Sequence, residues 1–279
     1  MKTTQKARFV SLLIRYFRLS ALIRRLYPFA SDIAFENVRP DAALELGRYF
    51  GVRAAVDSRL IRLGSPNDGG YLLVDDCKIS DVLLSLGIGD NNSFDVEIAT
   101  RIKAVHMFDH TISELPETVK NGYFHRIGIS DCASDNFTTI PHAVLEFPST
   151  QEFILKIDIE GDEWKVLDSL EVEFLLKFRQ ITGEFHGFHT LISRPDELKR
   201  AIRVLSKLVS HHKFVNLHAN NWAKVEIVKG MVIPDVIEFT LAREDVISQF
   251  SPSKNMNLSL NEPNNPDRAE IYLGLFSYL

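Results

Sequence analysis

Apolar residues run almost unbroken through residues 82–86, 104–108, 123–129, 152–158 and 179–186, and the stretches near 93–101, 162–169 and 195–210 carry helical spacing instead. Short unbroken apolar runs are the signature of strands buried on both faces, and helices between them supply the crossovers that parallel neighbours require. The pattern therefore predicts a doubly wound, mostly parallel α/β sheet. The third helix opens with Ser193 and Arg194-Pro195-Asp196, which reads as a cap, a tolerated early proline and a first-turn acid. Two later runs, 214–217 and 236–242, have no obvious helix between them and are expected to end the sheet as an antiparallel pair. Upstream, Asp41 is expected to cap a helix over 41–56 that roofs the sheet. The Asn/Ser/Pro-rich stretch 251–266 reads as a loop or lid, and the apolar tail 271–279 as a segment returning to pack. The chain thus divides into a helical extension (1–57), a central α/β domain (58–250) and a packing tail (251–279).

Where the first of these strands ends, the chain reads Gly87-Ile88-Gly89-Asp90-Asn91, and the next apolar run closes on Asp109, twenty residues after Gly89. Two glycines let the backbone turn sharply out of a strand and approach a ligand closely, and an acid at the next strand end can accept from two ribose hydroxyls. Two glycines after a strand also make an ordinary turn. A dinucleotide fold places a third glycine where the helix begins, since the pyrophosphate sits on that N-terminus, but here the position is Asn92. Asp90 adds negative charge beside any phosphate. A cofactor without phosphate and with a cationic sulfonium, S-adenosylmethionine, suits an acidic loop better than NAD. Just upstream, Arg62 to Tyr71 is dense in turn residues, and its Asp68, Gly69 and Tyr71 are further candidates for the cofactor mouth.

Ligands of open α/β sheets bind beyond the carboxyl ends of the strands, so residues ending successive strands should converge. They are Gly87 and Gly89, Asp109, Ser130 and Asp131, Asp158 and Glu160, Glu184 and His186, and then His218 with Asn220 and Asn221. Asp131 is either an acceptor for the adenine amino group or a turn cap. Asp158 and Glu160 follow a buried strand directly, and carboxylates there need a cation, a metal or several donors. His186 and Glu184 share one face by strand alternation. His186 is expected to act as general base, oriented by Glu184 or Asp158, because neutral imidazole accepts a proton near pH 7. Glu160, His218, Asn220 and Asn221 are candidates for holding the acceptor. In a second reading, Asp158, Glu160, His186 and His218 gather a divalent ion such as Mg²⁺ or Mn²⁺ that binds two hydroxyls of the acceptor. His211 and His212 are assigned to a helix C-terminus, where partial negative charge favours their protonated forms.

Composition narrows the classes. At 279 residues and 45% hydrophobic, the chain can bury one full core with an appended segment. Cys77 and Cys132 are its two cysteines, too few for a disulfide framework or a cysteine-built zinc site, and they fit a reducing, cytoplasmic compartment. The net charge of −5 is unevenly spread: residues 1–35 carry seven Lys or Arg against one Asp, which makes them +6 and leaves −11 for the rest. Arginines at 15, 18, 24 and 25 interrupt every apolar run there that could span a bilayer. This basic amphipathic start would lie on an anionic membrane surface, placing the protein peripherally at the inner membrane face, or pack on its own domain or a sister subunit. The acidic body argues against a nucleic-acid partner.

With these residues in view, the sequence resembles the FkbM-type family of S-adenosylmethionine-dependent O-methyltransferases. The likeness is carried by Leu86-Gly-Ile-Gly89, Phe108-Asp109, the segment Lys156-Ile-Asp-Ile-Glu-Gly-Asp-Glu163, Glu184-Phe-His186 and the run 236–243, and it covers roughly residues 60–245. The resemblance implies a Rossmann-like class I methyltransferase acting on hydroxyls of sugars, glycans or natural products. The Arg62 to Tyr71 stretch and His218-Ala-Asn-Asn221 look like those of a bacterial subgroup linked to surface polysaccharides. Two alternatives accompany this reading: an NAD-dependent oxidoreductase, and a catalytically silent module that uses its basic arm to recruit partners.

Overall fold

Helix α1 (Pro40–Gly47) and a hairpin of β1 (Leu60–Leu63) and β2 (Tyr71–Val74) precede the central sheet in the computed structural model. The structure describes residues 31–32, 40–55, 59–228, 231–247, 250–252 and 260–273. The basic start at 1–30, residues 253–259 of the lid stretch and the last residues of the tail lie outside them. Next come β3 (Val82–Leu86), α2 (Ser93–Ile98), β4 (Ala104–Phe108), β5 (Gly122–His125), β6 (Phe153–Ile157) and α3 (Glu163–Ser169). The chain continues through β7 (Phe178–His186), α4 (Phe188–Ser193), α5 (Pro195–Val209), β8 (His212–Ala219) and β9 (Val236–Arg243).

The seven-stranded sheet has the order β8-β9-β7-β6-β3-β4-β5. Strands β3 to β7 pair in parallel, and β9 runs antiparallel to both β7 and β8. This is the doubly wound, Rossmann-like arrangement, with its antiparallel strands at one end. From β3 the chain builds outward to β4 and β5, then crosses back to lay β6 on the other side of β3. That reversal opens a crevice beyond the carboxyl ends of β3 and β6.

The central strands form where the unbroken apolar runs lie: every residue of β3 and β6 is buried, as strands covered on both faces must be. Helix α5 buries Leu198, Ala201, Val204, Leu205 and Leu208, spaced three and four apart on one face. The hairpin docks on the sheet through polar groups. Gln180 donates to and accepts from the backbone of Val74 (3.0 and 2.8 Å), and the Thr240 hydroxyl donates to the Leu72 carbonyl at 2.7 Å. These buried side chains replace a missing strand partner and aim the 64–70 loop at the crevice.

Several boundaries differ from expectation. The helix foreseen over 41–56 stops at Gly47, and Asp41 stands in its first turn, not at its cap. The chain then turns through Tyr49 N–H to the Leu46 carbonyl at 3.0 Å and sends Phe50 between Phe185, Phe188 and Phe214. The run 123–129 splits after His125, because Gly128 and Ile129 pair with Phe137 and Thr138 instead of with the sheet. His212 is buried in β8 with Nε2 at 2.8 Å from the Phe178 carbonyl, and burial pushes it down to about 4, overriding the helix-end effect expected of it. No helix among the described residues is long and apolar enough to cross a membrane.

Arg179, on β7, is 2% exposed and donates to Asp81 at 2.9 Å, also pairing with Asp76. Removing one partner of such a pair strands the other charge without solvent. Arg179→Ala should lower the unfolding free energy in urea by about 3–5 kcal/mol, and a loss under ~1 kcal/mol would contradict this account.

Candidate functional site

At the switch point Leu86 lies opposite Ile157, so Gly87 and Asp158 leave the sheet side by side. A Cβ on Gly87 would stand 1.7 Å from the Asp158 carbonyl oxygen, so no other residue fits this crossing. Beyond it opens a cavity of about 530 Å³, within the size range of cofactor sites. Phe94, Phe108, Ile129 and Phe137 line its apolar part, and Asp68, Asp90, Asp158 and Glu160 its polar part. Lys156 reaches the cavity from β6, but its ammonium is committed to the Gly87 carbonyl and stands 3.7 Å from Asp158. The buried Tyr71 hydroxyl donates to Asp158 at 2.9 Å, and burial beside these carboxylates raises its pKa well above the usual phenol value.

Asp109 holds the glycine loop. One of its carboxylate oxygens accepts from the N–H groups of Ile88 and Gly89 (2.8 and 2.9 Å), and the other from the Thr111 N–H and hydroxyl (2.7 and 2.6 Å). Burial acts against ionisation, yet these four donors hold the carboxyl down to about 2. They fill the lone pairs that a carboxylate offers. Asp109 borders the cavity as expected, but it shapes the loop and has no acceptor left for ribose hydroxyls.

A second cavity of about 340 Å³ adjoins the first. Asp68, Asp158 and Glu160 line both, and Glu184, His186, Asn220 and Trp222 line the second alone. Its geometry hangs on Glu163, in the first turn of α3 and 0% exposed. The Glu163 carboxylate accepts from Ile159 N–H at 2.9 Å and from Gly161 N–H at 3.1 and 3.2 Å, and takes His186 Nδ1 at 3.0 Å. This clamp holds Glu160 in the left-handed region, at φ 56°, with its side chain 88% exposed. Such a conformation costs a non-glycine residue roughly 1–2 kcal/mol, and it turns Glu160 toward both cavities.

Around the other imidazole nitrogen stand Glu184 at 3.3 Å, Glu160 at 3.7 Å and Asp158 at 3.9 Å. Burial by itself would lower the His186 pKa, but the bonds to Glu163 and Glu184 outweigh it and push the group up to about 11. His186 is therefore an imidazolium at neutral pH, and the expectation that it serves as general base is corrected: its proton is already in place. Glu184 moves the other way from a typical carboxylate, raised by its own burial and by Asp158 and Glu238 nearby, against the pull of His186. Its Oε1 accepts from Asn220 Nδ2 at 3.0 Å.

Gly87, Gly89, Asn91, Asp68, Gly69 and Tyr71 all border the first cavity, and Asn91 Nδ2 donates to the Asp68 carbonyl at 2.9 Å. Ser130 and Asp131 do not: the chain has left the sheet at His125, and they bond each other at 3.1 Å outside the cavity. His218 is also displaced from its expected partners. Its two nitrogens face Glu238 at 2.9 Å and Glu270 at 3.1 Å, so it ties β8 and β9 to the C-terminal segment and stands apart from Asp158, Glu160 and His186. Asn221 is a buried peg, donating to the Asn265 carbonyl and accepting from its N–H at 2.9 and 2.6 Å. Asp158, Glu160 and His186 do bring potential ligand atoms within 4.8 Å of one another, as do Asp68, Glu184 and Glu238. In the first group the imidazolium offsets part of the carboxylates' charge. Lys156 and Glu163 entered the sequence reading as the ends of the 156–163 segment but not as site residues, and Trp222 did not enter it at all; a charged residue inside an apolar run was a visible signal for Lys156.

No protein-family model matches the chain, and no curated protein matches it. Among solved structures it is similar to an rRNA methylase from Streptococcus thermophilus, at 15% identity and TM-score 0.35, over 61% of this chain and 90% of that one. It is also similar to the 23S rRNA methyltransferase ErmE (14% identity, TM-score 0.33, 60% of this chain and 62% of that one). A dimethyladenosine transferase from Plasmodium falciparum gives 12%, 0.35, 75% and 62%. Likenesses with TM-scores below 0.5 carry no weight for function. The chain's own sheet order and crevice define a doubly wound, Rossmann-like α/β protein with a built cavity at the switch point.

A histidine whose pKa is raised on folding stabilises fully below its unfolded value of about 6.5, and this support is lost as pH climbs toward about 11. Wild-type stability should therefore fall between pH 6.5 and 9 in urea titrations, and fall less steeply in Glu163→Gln. Equal slopes would show that Glu163 does not hold the proton on His186.

Proposed function

We propose that this protein is an S-adenosylmethionine-dependent O-methyltransferase acting on a hydroxyl of a sugar, glycan or related natural product. The observation that carries this reading is the shared wall: Asp158 belongs to the crevice cavity and to its neighbour, so a ligand in each would meet at its carboxylate. The first cavity suits an adenosine sulfonium. Its apolar part fits a flat heterocycle, and its polar part is acidic, with Lys156 already committed to backbone and Asp158. A pyrophosphate there would face Asp90, Asp158 and Glu160, which counts against NAD.

When bound, S-adenosylmethionine would supply a methyl group on a positively charged sulfur. The residues of this chain would do the rest. Gly87 and the clamped 158–162 loop bring the two sites together, and alignment of this kind contributes up to ~7–11 kcal/mol. Asp158, its Oδ2 fixed by Tyr71 and its Oδ1 toward His186, takes the hydroxyl proton as the new C–O bond forms, which is worth ~10² to 10⁴ in rate. The imidazolium of His186 holds Asp158 and Glu160 in place. Glu184 and Asn220 provide acceptors and a donor for neighbouring hydroxyls. An acidic acceptor cavity disfavours a phosphate-rich acceptor, so the RNA named for the structural neighbours is not carried over. The FkbM-type resemblance agrees with this reading, because its most specific part, Asp158-Ile-Glu-Gly161, is the stretch that Glu163 clamps.

Calorimetry should detect S-adenosylhomocysteine binding and no NAD binding; the reverse result would sink the proposal. In Asp158→Asn, affinity for S-adenosylmethionine should fall about ten-fold more than affinity for the uncharged S-adenosylhomocysteine. Equal losses would mean that Asp158 does not face the sulfonium.

A further inference from the structure

Isolated apolar residues on a protein surface are ordinary. Trp222 is different because it is 53% exposed while lining the second cavity, whose other walls are mostly carboxylates, an imidazole and an amide. It is also held firmly. Its backbone N–H donates to Asn220 Oδ1 at 2.9 Å, closing a tight turn after β8, and the amide nitrogen of Asn220 donates to Glu184. From the C-terminal segment, Arg268 donates to the carbonyls of Trp222 and Asn221 at 2.9 and 3.2 Å, with its guanidinium 5.3 Å from the indole centroid.

The geometry points to Trp222 as the platform on which a pyranose ring of the acceptor stacks, with Asn220, Glu184 and Asp158 receiving the hydroxyls on the ring's edge. This rests on the methyltransferase reading above and extends it to a residue that selects the acceptor. A sugar ring has an apolar C–H face, whose hydrogens carry partial positive charge, and a polar rim. An indole face is negative and apolar, and it meets the former. Paired carboxylate and amide groups meet the latter. A cationic acceptor would also be drawn to carboxylates, but the indole already has the Arg268 guanidinium against it, and a second cation there would be repelled. A neutral ring suffers no such penalty. Because Asn220 links the platform to Glu184, the stacked ring would be held at a set angle to Asp158, and that angle would decide which hydroxyl is methylated.

The test uses full-length protein saturated with S-adenosylhomocysteine and four probes: the methyl glycosides of glucose, galactose, mannose and rhamnose. Saturation-transfer NMR should show ring C–H protons of at least one probe in contact with the wild type. That probe's affinity should drop about ten-fold in Trp222→Ala and change less than about two-fold in Trp222→Phe. Binding of S-adenosylhomocysteine should be the same in all three proteins, which also reports that the variants are folded. Equal probe binding by wild type and Trp222→Ala would overturn the platform and leave the methyltransferase reading standing. No probe bound by cofactor-loaded wild type would overturn both the platform and the sugar acceptor. Failure of the wild type to bind S-adenosylhomocysteine would instead overturn the reading on which this inference rests.

Discussion

A single buried carboxylate organises the carboxyl end of this sheet. Glu163 has no contact with solvent, and it satisfies two backbone N–H groups of the 158–162 loop and the Nδ1 proton of His186 at once. A charge in that position would be prohibitively costly without such donors, and the loop amides would be orphaned without such an acceptor. Each requirement cancels the other. The loop's left-handed Glu160, the proton on His186 and the facing of Asp158 toward two cavities all follow from that exchange.

Charge is then distributed so that neither cavity is neutral. Cations close to the carboxylates are mostly committed inward: Lys156 to Gly87 and Asp158, and His186 to Glu163 and Glu184. What remains facing the cavities is an excess of acceptors. The same arrangement disfavours phosphates in both places.

The C-terminal segment braces the residues around the second cavity chiefly through side-chain amides. Asn261 pairs with Asn216, Asn265 with Asn221, and Asn264 with Asp68 and Glu238, while Glu270 meets His218. Ile271 and Leu273 then enter the core. Residues 260–273 thereby brace the site without lining either cavity, and they carry Arg268 to the indole of Trp222.

Local pattern determined the parallel core, its helices and the acidic strand ends, because burial on both faces and helical spacing leave their mark on neighbouring residues. It also brought out Gly87, Asp158, Glu184 and His186, since strand ends in such a sheet converge whatever the side chains. What it could not contain was the partner of each charged group. Asp109 looked free to meet a ribose until Ile88, Gly89 and Thr111 were seen to fill its lone pairs. His186 looked like a base, and His218 its companion, until Glu163 and Glu270 took up their nitrogens. Protonation and hydrogen-bond occupancy depend on atoms within a few ångströms in space, and many of those atoms come from residues 20 or more positions away, so the tertiary structure decided them.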